Sequence, residues 1–123
     1  MEENYYYSQE NHGPYQLFSL GDFHLEDGGV IEHCEIAYST FGKLNSKKDN
    51  AILITTWYSG TSRIMEQVYL GTGRAIDPAK YFIVIVNQIG NGLSTSPTQV
   101  ILYADRNFRE FELQTTFARN ISC

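Results

Sequence analysis

Two short loops carry the residue types that could take part in chemistry. Residues 56–61 read Thr-Trp-Tyr-Ser-Gly-Thr and follow an apolar run at 51–55, and residues 87–97 follow a second apolar run at 82–86. A glycine-containing turn directly after a buried strand can aim a backbone N–H at a developing oxyanion. Glycine and asparagine allow the second loop to fold tightly near a ligand. Composition alone favours an ordinary turn with a packed Trp57 in the first loop, and the oxyanion donor is the alternative.

The serines of these loops do not fit a covalent nucleophile. Gly92-Leu93-Ser94-Thr95-Ser96 departs from the G-x-S-x-G pattern at its last position, and no helix pattern follows it. Ser59 lacks the preceding glycine of that pattern. In hydrolases with such a serine the chain order is Ser, then an acid, then His, whereas all three histidines precede Ser59 here.

Other catalytic and binding patterns are weak. Gly90-x-Gly92 resembles part of a dinucleotide fingerprint, but the third glycine and the helix are missing. The acidic pairs Glu26-Asp27 and Glu110-x-Glu112 lie in polar, turn-like surroundings and are interpreted as solvated. Isolated histidines and the two cysteines, Cys34 and Cys123, have no metal-ligand spacing, so no metal site is predicted.

Length and composition restrict the class of protein. The 123 residues suffice for one domain, and 42% hydrophobic against 19% charged residues is a globular composition. A net charge of −5 without a basic run argues against nucleic acid and anionic membranes as partners. No apolar run approaches the roughly 20 residues that span a bilayer, and the N-terminus does not resemble a signal peptide, so a cytoplasmic location is expected.

The first part of the chain is predicted to form a tail and a hairpin. Residues 1–13 are polar and without period, which predicts a flexible tail. Alternating patterns at 15–25 and 30–38 flank the turn signal Asp27-Gly28-Gly29, which predicts an antiparallel hairpin. The alternation slips between Ile31 and Cys34, as a β-bulge would require.

The two continuous apolar runs predict a different kind of strand. Residues 51–55 and 82–86 do not alternate, which is typical of parallel strands covered on both faces. Apolar residues from Ile64 to Leu70 recur at helical spacing between them, so a βαβ unit is predicted. Residues 98–123 are ambiguous. The fold class is therefore α/β, with a hairpin feeding a parallel βαβ unit in one domain over residues 14–123.

Residues 20–97 resemble the N-terminal part of the homoserine O-acetyltransferase family of α/β-hydrolase-fold proteins. The resemblance depends on order and spacing along about two-thirds of the chain. The segments that carry it are Leu20-Gly21-Asp22-Phe23-His24-Leu25-Glu26-Asp27-Gly28-Gly29, Ile36-Ala37-Tyr38-Ser39-Thr40-Phe41-Gly42-Lys43-Leu44-Asn45, the stretches 49–61 and 71–82, and the loop 87–97.

The resemblance implies acyl transfer through a Ser–Asp–His triad, typically from acetyl-CoA to homoserine, with a small acyl compound as substrate and no bound cofactor. The loop after the third strand would give one oxyanion-hole N–H, which maps to Tyr58, with Trp57 as the neighbouring alternative. The substrate loops would include Ser59, Gly60, Asn87, Gly90, Asn91 and Gly92. The acetyltransferases usually carry a His-Ala-Leu-Thr-Gly loop, whereas this chain has Thr-Trp-Tyr-Ser-Gly, which points to hydrolase-like relatives.

The resemblance also implies that part of the catalytic machinery lies beyond this chain. The triad residues of the family would lie downstream of anything present in this chain, so we expect an incomplete sheet, a domain without its C-terminal part, and no activity of the chain alone. The strand at 51–55 would then have an exposed apolar edge. The alternative function is a non-catalytic interaction module that pairs through this edge, as a homodimer or with a complementing chain.

Overall fold

The computed structural model describes residues 5–96, so the expectations for residues 98–123 and for Cys123 lie outside the described part. A four-stranded mixed sheet has the order β1-β2-β4-β3. A 3-10 turn at Tyr5–Tyr7 precedes α1, and the elements are α1 Gln9–His12, β1 Gln16–His24, β2 Val30–Phe41, β3 Ala51–Thr55, α2 Ser62–Tyr69 and β4 Phe82–Val86.

The predicted antiparallel hairpin is confirmed, and so is its bulge. Gly21 of β1 pairs with Cys34 of β2, and Phe23 pairs with Ile31, so two residues of β2 lie opposite one of β1. His33 at this point has a φ of 51°, and its N–H donates to Asp22 Oδ1 at 3.1 Å. The bulge keeps Ile31 and Cys34 on the buried side although three positions separate them.

The predicted βαβ unit is also confirmed. Strands β3 and β4 pair in parallel from Ala51–Phe82 to Thr55–Val86, and α2 lies between them in the chain. Thr61 caps α2 by accepting from the N–H of Ile64, which satisfies one of the donors that a helix leaves unpaired at its start. An α/β fold is therefore present in the described residues.

The turn that leads into β4 is fixed by one carboxylate and one glycine. Asp77 is buried and accepts from the N–H groups of Gly73 and Ala79, both at 2.9 Å. These backbone hydrogen bonds hold the pKa of Asp77 below its ordinary value. Gly42, at the end of β2, has a φ of 74° and lies against the carbonyl of Tyr81, where a side chain would collide. Both features bring the start of β4 beside β2.

The main core lies between α2 and one face of the sheet. Met65 and Leu70 pack against Ile83 and Ile85, with Ile52 and Ile54 of β3 at the margin. Burial alternates between successive residues of β3 and of β4. The prediction that both faces of these strands are covered is therefore wrong for the described residues. The reason is that α2 covers only the face of Ile52, Ile54, Ile83 and Ile85. The helical spacing from Ile64 to Leu70 predicts more core residues than the structure has, because Val68 and Tyr69 are exposed.

Strand β3 lies at the edge of the described sheet, as expected. It pairs with β4 on one side, and none of the strands at residues 5–96 pairs with its other side. Leu53 is 69% exposed, the largest exposure among the large hydrophobic residues of the described part. An apolar edge strand of this kind is a site for further pairing.

The N-terminal segment differs from the predicted flexible tail. Residues 5–12 form two short helical turns, and Ser8 caps α1 by accepting from the N–H of Asn11 at 3.3 Å. The side chain of Gln9 donates to the carbonyl of Tyr15 at 2.8 Å and accepts from its N–H at 3.2 Å. His12 is buried. This segment lacks a hydrophobic period, and it is stabilised by local hydrogen bonds and by contact with the rest of the fold.

A buried amide connects three elements at the end of β4. Asn87 is fully buried, and its Nδ2 donates to the carbonyl of Ala37 and to Ser62 Oγ, both at 3.0 Å. Its Oδ1 accepts from the N–H of Ser62 and from Asn91 Nδ2, both at 2.9 Å. Every donor and acceptor of the amide is used. Asn87 therefore fixes the start of α2 against β2 and β4.

We expect Asn87→Leu to lower the free energy of unfolding by roughly 2–3 kcal/mol, because it leaves the buried N–H of Ser62 without its acceptor and removes one of the two acceptors of Asn91 Nδ2. The same amide-to-leucine change at Gln67, which is exposed on α2, is the matched control and should stay within about 0.5 kcal/mol. Urea unfolding of both variants measures the difference. Equal effects at the two positions would contradict the role assigned to Asn87.

Candidate functional site

The two loops singled out in the sequence meet at the carboxyl ends of β3 and β4. Gln88 Nε2 donates to the carbonyl of Thr56 at 2.6 Å, and the N–H of Gln88 donates to Thr56 Oγ1 at 3.2 Å. Farther along, Asn91 Nδ2 lies 3.2 Å from the carbonyl of Gly60. Parallel strands place their carboxyl ends side by side, which is where open α/β sheets bind ligands.

The loop at residues 56–61 presents aromatic residues outward on a tight backbone turn. The N–H of Gly60 donates to the carbonyl of Trp57 at 3.2 Å, which closes the turn around Tyr58 and Ser59. The Trp57 ring meets Tyr69 of α2 edge-on, with ring centroids 5.8 Å apart. Tyr58 is 67% exposed and Ser59 is exposed as well. The residues between the two ends of the turn, Trp57 to Ser59, are therefore the exposed part of this loop.

Gly60 itself is buried against the Trp57 side chain. A Cβ at this position would lie 3.4 Å from both the Cβ and the Cε3 of Trp57. These are ordinary van der Waals distances, so Gly60 packs against Trp57 without a steric requirement for glycine. Of the first loop's predicted site residues, Tyr58 and Ser59 are accessible, Trp57 is partly so, and Gly60 has a packing role.

Asn87 and Asn91 act inside the loops. Asn91 Oδ1 accepts from the N–H groups of Leu93 and Ser94, at 3.0 and 3.2 Å, while its Nδ2 bridges Gly60 and Asn87. Asn87 is fully buried. Both were predicted as substrate-loop residues. In the structure their side chains hold the two loops together. Gly90 is exposed and Gly92 is half-buried in the second loop.

The hydroxyl groups that follow in the second loop bind β2. Ser94 Oγ accepts from the N–H of Ala37 at 2.9 Å and donates to the carbonyl of Asn87 at 2.7 Å. Thr95 accepts through Oγ1 from the N–H of Glu35 at 2.7 Å and donates its own N–H to the Glu35 carbonyl at 2.9 Å. These hydroxyls satisfy the backbone of β2 beyond its pairing with β4. Ser94 is fully buried, which supports the prediction against its being a nucleophile.

The N-terminal segment brings residues to the site that the sequence did not single out. His12 Nδ1 lies 2.9 Å from Thr61 Oγ1, and both residues are buried. Burial lowers the pKa of His12, which favours the neutral form of the ring. The exposed fractions of 7% and 2% keep this hydroxyl–imidazole pair from meeting a substrate. Two features of the sequence could have drawn attention to this pair. Thr61 is a good N-cap residue for the predicted helix, and three tyrosines precede His12.

The described loops can therefore hold backbone groups in a fixed arrangement, but they supply no proton-transfer pair in contact with solvent. Within residues 5–96 no serine hydroxyl is hydrogen-bonded to a histidine, and no group of three or more His, Cys, Asp or Glu side chains is placed to hold a metal ion. The same residues include no helix that is long and apolar enough to cross a membrane. A surface concavity of about 340 Å³ beside the C-terminal half of α2 is lined by other residues than these loops.

No family model matches the chain. Individual relatives do. The chain is 57% identical over 93 residues to the ethyl acetate hydrolase of Pseudomonas veronii, which corresponds to 76% of this chain and 27% of the relative. It is 39% identical over 88 residues to the homoserine O-acetyltransferase of Caulobacter vibrioides, covering 62% of this chain and 23% of that protein.

Solved structures agree in fold. The crystal structure of an acetylester hydrolase from Corynebacterium glutamicum matches with a TM-score of 0.74 and 58% identity, over 79% of this chain and 28% of that one. The chain thus spans about a quarter of the length of the relatives that it matches. It is homologous to the esterases and homoserine O-acetyltransferases, and it carries part of an α/β-hydrolase-like fold.

Proposed function

We propose that this chain supplies the oxyanion-binding loop of an ester hydrolase, with the backbone N–H of Tyr58 as one donor. In this reaction a nucleophile attacks the ester carbonyl, and the carbonyl oxygen gains negative charge in the tetrahedral intermediate. The alcohol leaves, and water then releases the acid. A backbone N–H that faces this oxygen stabilises the charge without any reorganisation. The observation that carries the proposal is the exposed turn at residues 57–59, directly after a parallel strand.

The position of the turn supports this role. The turn lies at the carboxyl end of β3, where α/β-hydrolases take one oxyanion donor from the loop after their third strand. Hydrogen bonds from Gln88 and Asn91 to the carbonyls of Thr56 and Gly60 hold both ends of the loop. Preorganisation of this kind is what makes a backbone donor effective in a transition state.

The proposed substrate is a small ester, with water as the acyl acceptor. The matched relative described as an ethyl acetate hydrolase is 57% identical, whereas the matched homoserine O-acetyltransferase is 39% identical. The Thr-Trp-Tyr-Ser-Gly sequence of the loop also departs from the His-Ala-Leu-Thr-Gly sequence of the acetyltransferases. Acetyl-CoA as acyl donor and homoserine as acceptor are the alternative within the same chemistry.

The first test places residues 15–96 in the corresponding segment of the Corynebacterium glutamicum acetylester hydrolase. In this chimera Tyr58→Pro removes the proposed donor, and kcat for p-nitrophenyl acetate should fall roughly 100- to 1,000-fold. Tyr58→Ala is the matched control, because it keeps the N–H and removes only an exposed side chain. Its kcat should stay near that of the parent chimera.

Trp57→Pro in the same chimera separates the two donors that the sequence leaves open. A loss confined to Trp57→Pro would assign the donor to Trp57. Equal losses in Tyr58→Pro and Tyr58→Ala would show that the phenol, and not the backbone, contributes. Circular dichroism of each variant establishes that the fold persists.

The second test concerns the chain by itself, which we propose to be inactive. Ser94 and Ser96 are buried and hydrogen-bonded, and the exposed Ser59 has no histidine partner among residues 5–96. The purified chain should hydrolyse p-nitrophenyl acetate at the buffer rate and remain unlabelled by a fluorophosphonate probe, while the chimera reacts with both. Turnover by the chain that Ser59→Ala abolishes would contradict this proposal.

The edge position of β3 favours a second candidate function, an interaction module that pairs edge to edge with another copy of the chain. The unpaired side of β3 among the described strands and the exposed Leu53 support it.

Sedimentation at several concentrations tests this second function. Leu53→Lys should shift a dimer to monomer, because a charge on an edge strand opposes pairing. Val68→Lys, on the exposed side of α2, is the matched control and should leave the dimer intact. A wild-type chain that stays monomeric at every concentration would exclude the module.

A further inference from the structure

We propose that the N-terminal strap, residues 6–14, positions the oxyanion-binding loop, and that His12 is its positioning residue. This inference rests on the proposed function for its catalytic meaning, but the contacts that carry it belong to the described structure. The strap reaches both loops of the candidate site, although it lies far from them in the sequence. Residues 1–13 are polar and have no hydrophobic period, so the sequence pattern does not indicate that they position a loop.

The first contact is made at the end of the loop after β3. His12 Nδ1 lies 2.9 Å from Thr61 Oγ1, 49 positions away in the chain, and the bond is buried. Thr61 is the last residue of the loop and the cap of α2 at the same time. Either neutral tautomer of the imidazole can keep this bond, because a hydroxyl both donates and accepts. His12 therefore holds the point at which the loop becomes helix.

The second contact is made on the loop after β4. The ring of Tyr7 lies against Gly92, which has a φ of 99°, and a Cβ there would come within 2.7 Å of two ring carbons. The same ring stacks on His12, with centroids 5.7 Å apart and planes inclined by 28°. Tyr7 therefore contacts the loop after β4 and also His12, which is bonded to the loop after β3.

The strap has its own attachment to the sheet. Ser39 Oγ donates to the carbonyl of Pro14 at 2.8 Å and lies 3.1 Å from Ser62 Oγ at the start of α2. Gln9 binds both backbone groups of Tyr15, which closes the strap on itself. Because its base is fixed at β2, the strap can restrain the loops and is not merely carried by them.

A restraint at Thr61 matters to the donor because the loop is short. Only the turn closed by the Trp57–Gly60 hydrogen bond separates Tyr58 from the residue that His12 holds. Small displacements of an oxyanion donor reduce its effect, since its value depends on fixed geometry. Loss of the His12 contact should therefore loosen the loop while the strands stay intact.

The test is site-resolved amide hydrogen exchange on the full chain, measured by NMR at neutral pH. His12→Leu removes the bond and keeps an apolar side chain. His12→Asn is the conservative variant, because its amide lies as many bonds from Cα as Nδ1 does. The reporter amides are Gly60 and Ser62 at the loop, and the reference amides are Ile83 and Ile85 in the core of β4.

His12→Leu should accelerate exchange at Gly60 and Ser62 by roughly threefold to tenfold, the ratio that one ordinary hydrogen bond supplies. Ile83 and Ile85 should not change, and His12→Asn should restore slow exchange at the loop. In a Thr61→Val background the effect of His12→Leu should vanish, because its partner hydroxyl is gone.

Unchanged exchange at the loop in His12→Leu would overturn the proposal. Equal acceleration in the loop and in β4 would also overturn it, since His12 would then contribute only to global stability. None of these readouts needs ester turnover. A failure of the strap proposal is therefore distinguishable from a failure of the oxyanion proposal, which the Tyr58 variants decide.

Discussion

The side-chain amide of Asn87 is the interaction on which the described architecture depends. It has four hydrogen bonds in a fully buried place, to the start of α2, to β2 and to the loop that follows β4. A buried amide with every bond made specifies one arrangement of its partners, and any other arrangement leaves polar groups unpaired. The start of α2 and the loop after β4 are therefore fixed to β2 through one side chain, while Gln88 and Asn91 add the direct bonds between the two loops.

Polar side chains also replace strand pairing where the sheet stops. Strand β4 pairs with β2 only at Tyr38–Phe41, and Ser94 and Thr95 satisfy the β2 backbone beyond that point. The second loop is therefore built as an extension of the sheet, which makes it rigid on its inner side. The first loop is held at its ends by Gln88, Asn91 and His12, and residues 57–59 between these ends are exposed. This contrast supports the proposal that the first loop binds a charged oxygen.

The sequence predicted the elements well because their signals are local. Alternation and the Asp27-Gly28-Gly29 turn predicted the hairpin, the slip before Cys34 predicted the bulge, and the two apolar runs predicted the parallel pair. The loops were located because parallel strands share one carboxyl edge. The roles within them were less accessible, since burial decides whether an asparagine meets substrate or holds a loop. Asn87 and Asn91 were predicted as substrate-loop residues, and the internal role that the structure gives them depends on contacts with Ser62, Gly60 and Ala37.

The missed strap has the same physical cause. Residues 6–14 have no hydrophobic period, and their order comes from contacts with residues 39, 61 and 92, which lie 25 to 85 positions farther along the chain. Continuous apolar runs led to the prediction that both faces of the sheet are covered. Such runs are typical of strands buried on both faces, but they do not show which helices of the described residues cover each face. Long-range contacts are thus the part that single-sequence patterns do not contain.

We propose that Tyr58 donates its backbone N–H to the oxyanion. A crystal structure of the chimera with a phosphonate bound to its nucleophilic serine tests it most directly, because the phosphoryl oxygen takes the place of the oxyanion. If Tyr58 is the donor, this oxygen lies about 2.7–3.1 Å from the nitrogen of Tyr58. A phosphoryl oxygen directed away from the 57–59 turn, with the Tyr58 nitrogen beyond hydrogen-bonding distance, would contradict it.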